Sequence, residues 1–225
     1  MIAPDPLTAL AAEAACLETV LTGLAAADWD RPTRCTPWDT AALAAHLTMA
    51  LARLGPRLDA PEPAVATVDA GGYYRPDERF SQAVNDTRID SAVRAAETAG
   101  TTLPAEFTRT WREAAGRCRA EPPTRRVTTR HGDPMLLADF LTTRVVEVAV
   151  HGIDLADALD RPRWTTPEAA QVVVELLLGP DHAKSLAALG WERVTFIAKA
   201  TGRDPLTDTE RAAAGARGVT WLALG

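Results

Sequence analysis

Lysine is nearly missing from this chain: only Lys184 and Lys199 stand among 24 basic residues in a total of 225, a skew that reads as coding bias more than function. Positive charge as a whole is also short. With 30 acidic residues, a net charge of -6 and a pI near 5.3, the sequence offers no field that would attract a phosphate backbone, so no nucleic-acid partner is expected. Long apolar runs are absent too. No stretch approaches the roughly twenty apolar residues of a membrane span, and no basic segment followed by a hydrophobic one opens the chain. No membrane association and a cytoplasmic location are therefore expected. Cys16, Cys35 and Cys118 show neither a CxxC nor a paired spacing, which argues against a disulfide framework. There is no internal repeat and no low-complexity tract. At 47% hydrophobic, the sequence can bury a sizeable core in one domain or one and a half.

What the sequence does contain is a carboxylate and an imidazole four residues apart inside an apolar stretch, Glu147 and His151 in the run from Arg144 to Leu155. On a helix, residues i and i+4 share a face about 6 Å apart and can grip one cation together. On a strand they would stand ~13 Å apart and could not. The run is β-branched. Its apolar pattern nevertheless continues for some twenty residues after Asp133 and Pro134, which read as an N-cap and a first-turn proline, so a helix is expected. Val145, Val146, Val148, Ala149, Val150, Gly152 and Ile153 surround the pair, so the middle of this helix should be buried. A buried carboxylate must be neutralised, by protonation, by an arginine or by a metal. Arg144, one turn away, offers a purely structural partner.

A catalytic metal wants a third protein ligand and an open position, and the chain has only four histidines. His46 lies beside the stripe Leu43, Leu47, Leu51 and Leu54 on a helix for which Thr36 reads as N-cap, Pro37 as first residue and Asp39 as the carboxylate of a capping box. At ~1.5 Å per residue His46 stands about 14 Å above that start, and the Glu147/His151 pair about 22 Å along a helix of roughly 39 Å. Both are near mid-height, so in a bundle the three groups can meet whichever way the helices run. The same count puts Cys35 about 16 Å from His46, away from any site. His131 and His182 have loop-like surroundings.

The rest of the pattern is helical. A first helix is expected from Pro6 to Ala26, a second from Thr36 to near Pro56, a long crossover marked by Pro61, Pro63, Gly71, Gly72 and Pro76, and a third helix from Thr87 to Arg119, broken at Pro104. Pro122 and Pro123 close it, and the basic segment Arg125 to Arg130 reads as a polar lead into the fourth. Thr166 then caps a helix through Leu178, Gly179 and Pro180 stop it, and another helical stretch runs from Trp191 to Ala200. The fold class is all-α: a four-helix bundle over residues 1–160, with a short, mainly helical extension over 161–225 packed on it.

The motifs Trp29, Pro32-Thr33, Cys35-Thr36-Pro37-Trp38, Ala45-His46-Leu47 and Thr143-Arg144-Val145-Val146-Glu147, followed by His151 and Asp154-Leu155, carry a resemblance. Together they resemble the mycothiol-dependent maleylpyruvate isomerase family of the DinB-like superfamily, over the first 160 residues and again in the tail Ala200 to Asp208. The resemblance implies a DinB-like bundle whose metal triad falls on His46, Glu147 and His151, with Zn2+ as cofactor, mycothiol as thiol cosubstrate and a small electrophile as substrate. A homodimer is a further expectation. The full maleylpyruvate isomerases carry a larger mixed α/β second domain, and the residues after Pro162 are too few and too helical for it.

Two neutral imidazoles and one carboxylate leave Zn2+ with a net charge of +1 and an unfilled position, where a water or thiol loses its proton near neutral pH. A thiolate so made adds to an electrophilic carbon. Rotation and expulsion of the thiol give cis–trans isomerisation, and retention gives an S-transferase. Around that centre, Asp154 is placed to accept the distal N–H of His151. Arg144 is placed to orient Glu147 or meet an anionic substrate, and Arg203 to fork a substrate or thiol carboxylate. Trp38 and Trp29 are candidates for pocket walls. Two other readings stay open: Fe(II) on the same facial set, which would need oxygen and a reductant, and a non-catalytic bundle in which the metal only stabilises the fold.

Overall fold

The computed structural model describes residues 5–77 and 81–222; residues 1–4 and 223–225, at the outer ends of the two expected units, lie outside the described residues. Helix α1 (Pro6–Thr22) starts on an Asp5 cap whose carboxylate accepts from the Thr8 amide at 3.1 Å, with Pro6 in the first turn. It ends before Gly23 rather than at Ala26, and a 3-10 turn (Ala26–Asp28) follows. Helix α2 (Thr40–Ala52) runs into the short α3 (Leu54–Asp59), and the crossover contains α4 (Ala70–Tyr73). Next come α5 (Gln82–Ala99) and α6 (Leu103–Arg119), then strands β1 (Arg126–Thr128) and β2 (Pro134–Leu136), and the long α7 (Leu137–Ala158). The extension holds α8 (Pro167–Leu178), α9 (His182–Leu189), α10 (Arg193–Ala200) and α11 (Asp208–Ala216).

The bundle is α1, α2, α6 and α7: α1 packs on α6 and α7, and α2 packs on the same two from the other side. Helix α5 lies outside, against α2. One apolar core, from Ala9 and Leu17 through Leu47 and Val146 to Val173 and Phe196, runs from the bundle into the extension, where α8 packs on both α1 and α7. No helix among the described residues is long and apolar enough to cross a membrane.

Three sequence expectations are corrected. Helix α2 begins at Thr40, not at Pro37: the Asp39 carboxylate caps it, accepting from the Ala42 amide at 2.8 Å. Residues 31–39 spend their backbone hydrogen bonds across a loop, with the Thr33 amide on the Trp38 carbonyl and the Thr40 amide on that of Arg31, and the Thr36–Pro37 peptide is cis. Asp133 does not cap α7. It sits in a tight turn with Gly132 at φ 87°, and Pro134 opens β2, paired antiparallel with β1 so that Val127 faces Met135. A proline lacks the amide that a central ladder position needs, yet is tolerated as the first residue of an edge strand. Finally, the stretch expected as one third helix is two. Gly100, at φ 52°, ends α5 and a 3-10 turn (Gly100–Thr102) redirects the chain, so Pro104 falls in the first turn of α6 and breaks nothing.

Candidate metal centre

Glu147 and His151 point from the middle of α7 into the bundle, one turn apart, and α2 brings His46 to the same level. His46 Nε2 lies 3.3 Å from Glu147 Oε2, and His151 Nε2 lies 3.7 Å from the same oxygen. One ligand atom from each of the three residues falls within 4.8 Å of the others. Bonds of about 2.0–2.1 Å to a tetrahedral ion imply ligand separations of roughly 3.3 Å; the two contacts to Glu147 Oε2, at 3.3 and 3.7 Å, are near that value, so these three residues could hold a divalent metal.

Burial and charge prepare the three groups differently. Burial drives the His46 imidazole down to about 4, beyond what the Glu147 carboxylate restores, so it is neutral at pH 7. Burial also opposes the charged form of Glu147, but the His46 hydrogen bond and the Arg144 guanidinium hold its carboxyl well below the usual range. For His151, burial is outweighed by the Asp154 hydrogen bond and by Cys35, and the imidazole is pushed up to about 9.

Behind His151 stands a fully buried carboxylate. Asp154 Oδ2 takes His151 Nδ1 at 2.8 Å, and the Arg203 fork binds the same carboxylate through Nε to Oδ1 at 3.0 Å and Nη2 to Oδ2 at 2.8 Å. Burial would raise Asp154, yet the His151 and Arg203 hydrogen bonds hold it far below an ordinary carboxyl. A buried acceptor on Nδ1 fixes the ring so that Nε2 faces Glu147, which is how carboxylates orient metal-binding imidazoles. The third Arg203 donor goes to the Thr201 carbonyl. Three of its five N–H groups are thus bound within the protein, and Arg203, which the sequence suggested as a fork for a substrate or thiol carboxylate, also lines the adjoining pocket.

Arg144 is 2% exposed and lies behind Glu147, Nη2 to Oε1 at 3.8 Å, between the Phe140 and Tyr73 rings. It braces the carboxylate. Trp38 stacks on the His46 ring with centroids 4.7 Å apart, while its indole nitrogen donates to the Ile89 carbonyl of α5. Trp29 packs against the core and does not line the adjoining pocket.

Two features escaped the sequence reading. Cys35 belongs to the site: its thiol donates to Asp154 Oδ2 at 3.3 Å and lies 3.9 Å from His151 Nδ1. Because α2 starts three residues after Pro37, residues 31–39 form a loop that returns to α7, so counting helical rise from Cys35 gave the wrong distance. The other is α5, which forms one wall of a pocket of about 470 Å³ with His151, Trp38 and Cys35 on its other sides and Arg34, Arg88 and Arg203 around it.

A family model described as "Mycothiol maleylpyruvate isomerase N-terminal domain" matches residues 10–156, which takes in nearly all of α1 through α7 and leaves α8 to α11 outside. A search of curated proteins and a search of solved structures found no match.

Proposed function

Since the chain belongs to the mycothiol maleylpyruvate isomerase N-terminal domain family, we propose that it is a metal-dependent enzyme that activates a low-molecular-weight thiol for addition to a small electrophile. The thiol is mycothiol, the metal is zinc, and the outcome is either an S-conjugate or a cis–trans isomer. The observation that carries this reading is the convergence of His46, Glu147 and His151 at ligand-like spacing beside a pocket that His151 itself lines. His46, Glu147 and His151 would hold a divalent ion, whose charge would lower the pKa of a bound thiol toward neutral.

The chain's own groups do the rest. Glu147 is ionised and His46 neutral before anything binds, so two ligands are ready, and Asp154 keeps the proton of His151 on Nδ1 while Nε2 turns inward. Arg203, carried by the extension, locks Asp154, which makes residues 161–225 part of the working unit. Trp38 covers one face of His46 and excludes water from it. Cys35 donates its hydrogen to Asp154 and so serves as a wall rather than a nucleophile.

The test is an incubation of zinc-loaded protein with mycothiol and a panel of α,β-unsaturated carbonyl compounds, followed by mass spectrometry for the thioether and NMR for double-bond geometry. Thiol-dependent product with wild-type protein and none with His46→Ala is the expected result. Equal product from both proteins, or product that requires oxygen and a reductant instead of a thiol, overturns it.

A further inference from the structure

His151 belongs to two sets of metal-ligating side chains at once. Its Nε2 faces Glu147 in the inner triad, while Cys35 Sγ and Asp154 Oδ2 stand around its Nδ1, each pair of these atoms within 4.8 Å. In this outer set Nδ1 lies 2.8 Å from Oδ2, and Sγ lies 3.3 Å from Oδ2 and 3.9 Å from Nδ1. Around a tetrahedral zinc-sized ion, bonds of about 2.3 Å to sulfur and about 2.0–2.1 Å to nitrogen and oxygen imply roughly 3.5 Å from sulfur to either and roughly 3.3 Å between the others. The sulfur is therefore nearly in place. The nitrogen and oxygen have to part by about half an ångström, and by somewhat more for a larger ion. Cys35 comes from the 31–39 loop and the other two ligands from α7, and both Cys35 and His151 line the pocket, which leaves a fourth vertex open to it.

Charge decides which ions such a set accepts. Arg34, Arg88 and Arg203 border the pocket, and Arg203 and Arg34 approach the Asp154 carboxylate to 2.8 and 3.8 Å. A hydrated Mg2+ or Ca2+, held by charge and oxygen ligands, is repelled there. An ion that binds sulfur is in a different position. The Cys35 S–H and the His151 Nδ1–H both bond to Asp154 Oδ2, so a divalent ion that replaces these two hydrogens, which leave as protons, adds no net charge to the buried cluster. Arg203 Nε stays on Oδ1 and keeps the carboxylate aimed. A thiolate among the ligands selects soft ions over oxygen-seeking ones.

We propose that Cys35, His151 and Asp154 form a second metal site, which takes a thiophilic divalent ion such as Cd2+ and excludes occupation of the inner triad. A neutral imidazole has a free lone pair on one nitrogen only, so a ring that gives Nδ1 to the outer ion carries its hydrogen on Nε2 and is lost to His46 and Glu147. Zinc favours the inner triad, which it enters without breaking the His151–Asp154 bond, whereas a softer ion gains more from sulfur than that bond is worth. The outer site is thus where soft metal disables the inner centre. It needs only these three side chains, whatever reaction the inner centre performs.

Cadmium chloride titrated into metal-free protein, followed by the sulfur-to-cadmium charge-transfer band in the ultraviolet, tests the site without any turnover. The band should saturate at one equivalent in the wild type, in His46→Ala and in Glu147→Gln, the last two lacking a complete inner triad. Cys35→Ser should lose it, with a melting curve to show that the fold is kept. The double variant Cys16→Ala/Cys118→Ala, without the two cysteines outside the site, should retain it. When zinc-loaded wild type is titrated, zinc should appear in a colorimetric indicator one for one as the band grows. A wild type without the band, a band that survives in Cys35→Ser or vanishes in both inner-triad variants, or a band that grows while zinc stays bound overturns the shared site. A protein that shows all the expected bands yet forms no thiol-dependent product refutes only the thiol chemistry.

Discussion

Zinc binding at pH 6 should release about one proton per ion, and nearly all of it should come from His151. With that imidazole pushed up to about 9 by Asp154 and Cys35 against the opposing effect of burial, the ring is protonated in the ion-free protein. His46, driven down to about 4, is already neutral, and Glu147 is already ionised. Three pH units below its midpoint, a titrating group is free base in about one molecule per thousand. Coordination through Nε2 must expel that proton, while the Nδ1 proton stays on the ring, donated to Asp154. A water on the ion contributes little at pH 6 because such waters titrate near ~7. Calorimetry in buffers of differing ionisation enthalpy gives the count as a slope. Since the group is raised, the release should be full well below its folded value of about 9 and decline as pH passes through it. Asp154→Asn takes away the anion that sustains the charge, burial then dominates, and the count at pH 6 should shrink together with a 10–100-fold loss of affinity. A slope of zero in the wild type, a slope of two, or an Asp154→Asn slope equal to wild type would refute the assignment of protons to these three side chains.

Other outcomes follow from the same contacts. Arg203→Ala strands a carboxylate that is 0% exposed, and denaturant titration should record a loss of about 3 kcal/mol; a loss under about 1 kcal/mol would mean that His151 alone suffices for Asp154. Glu13 is buried between α1 and the start of α8, with Oε2 on the Thr166 amide and Oε1 unpartnered, and burial raises its pKa. A raised acid favours the protonated fold, so its contribution is complete below the unfolded value of about 4.3 and fades as pH rises through the folded value. Glu13→Gln should therefore remove a downward slope of melting temperature against pH, and an unchanged slope would contradict this. Gly152 sits mid-helix where an added methyl would meet the Trp164 ring at 3.5 Å, an ordinary contact, so Gly152→Ala should stabilise by about 0.5–1 kcal/mol in a denaturant titration; destabilisation would show that the indole cannot accept it.

How much of this was legible in the sequence depended on whether local pattern or chain path set the outcome. The i, i+4 spacing of Glu147 and His151 and the i+3 position of Asp154 are consequences of helical geometry alone, and the structure brings these side chains together as that geometry requires. Matching heights on two helices allowed His46 to meet the pair, and the family resemblance is what selected it. Legibility failed wherever backbone groups were satisfied non-locally. Asp133-Pro134 has the chemistry of a helix start, yet the Pro134 carbonyl is taken by the Thr67 and Val68 amides of the crossover, which no window around Pro134 reveals. Thr36-Pro37 misled in the same way: Asp39, two residues later, offers an equally good cap and wins once the loop pairs Pro32 with Asp39. Cys35 was lost through that error. Arg203 was singled out for its donors, but its partner Asp154 lies 49 residues away.

Cobalt(II) substituted for zinc, followed by titration with mycothiol, probes the ion and the thiol in one spectrum. One equivalent of cobalt should bind, and the thiol should bring in a sulfur-to-cobalt charge-transfer band that saturates at one thiol per protein and is missing in His46→Ala and Glu147→Gln. Cobalt that binds equally well to those variants, or a spectrum that thiol leaves untouched, would contradict a thiol-activating ion held by His46, Glu147 and His151.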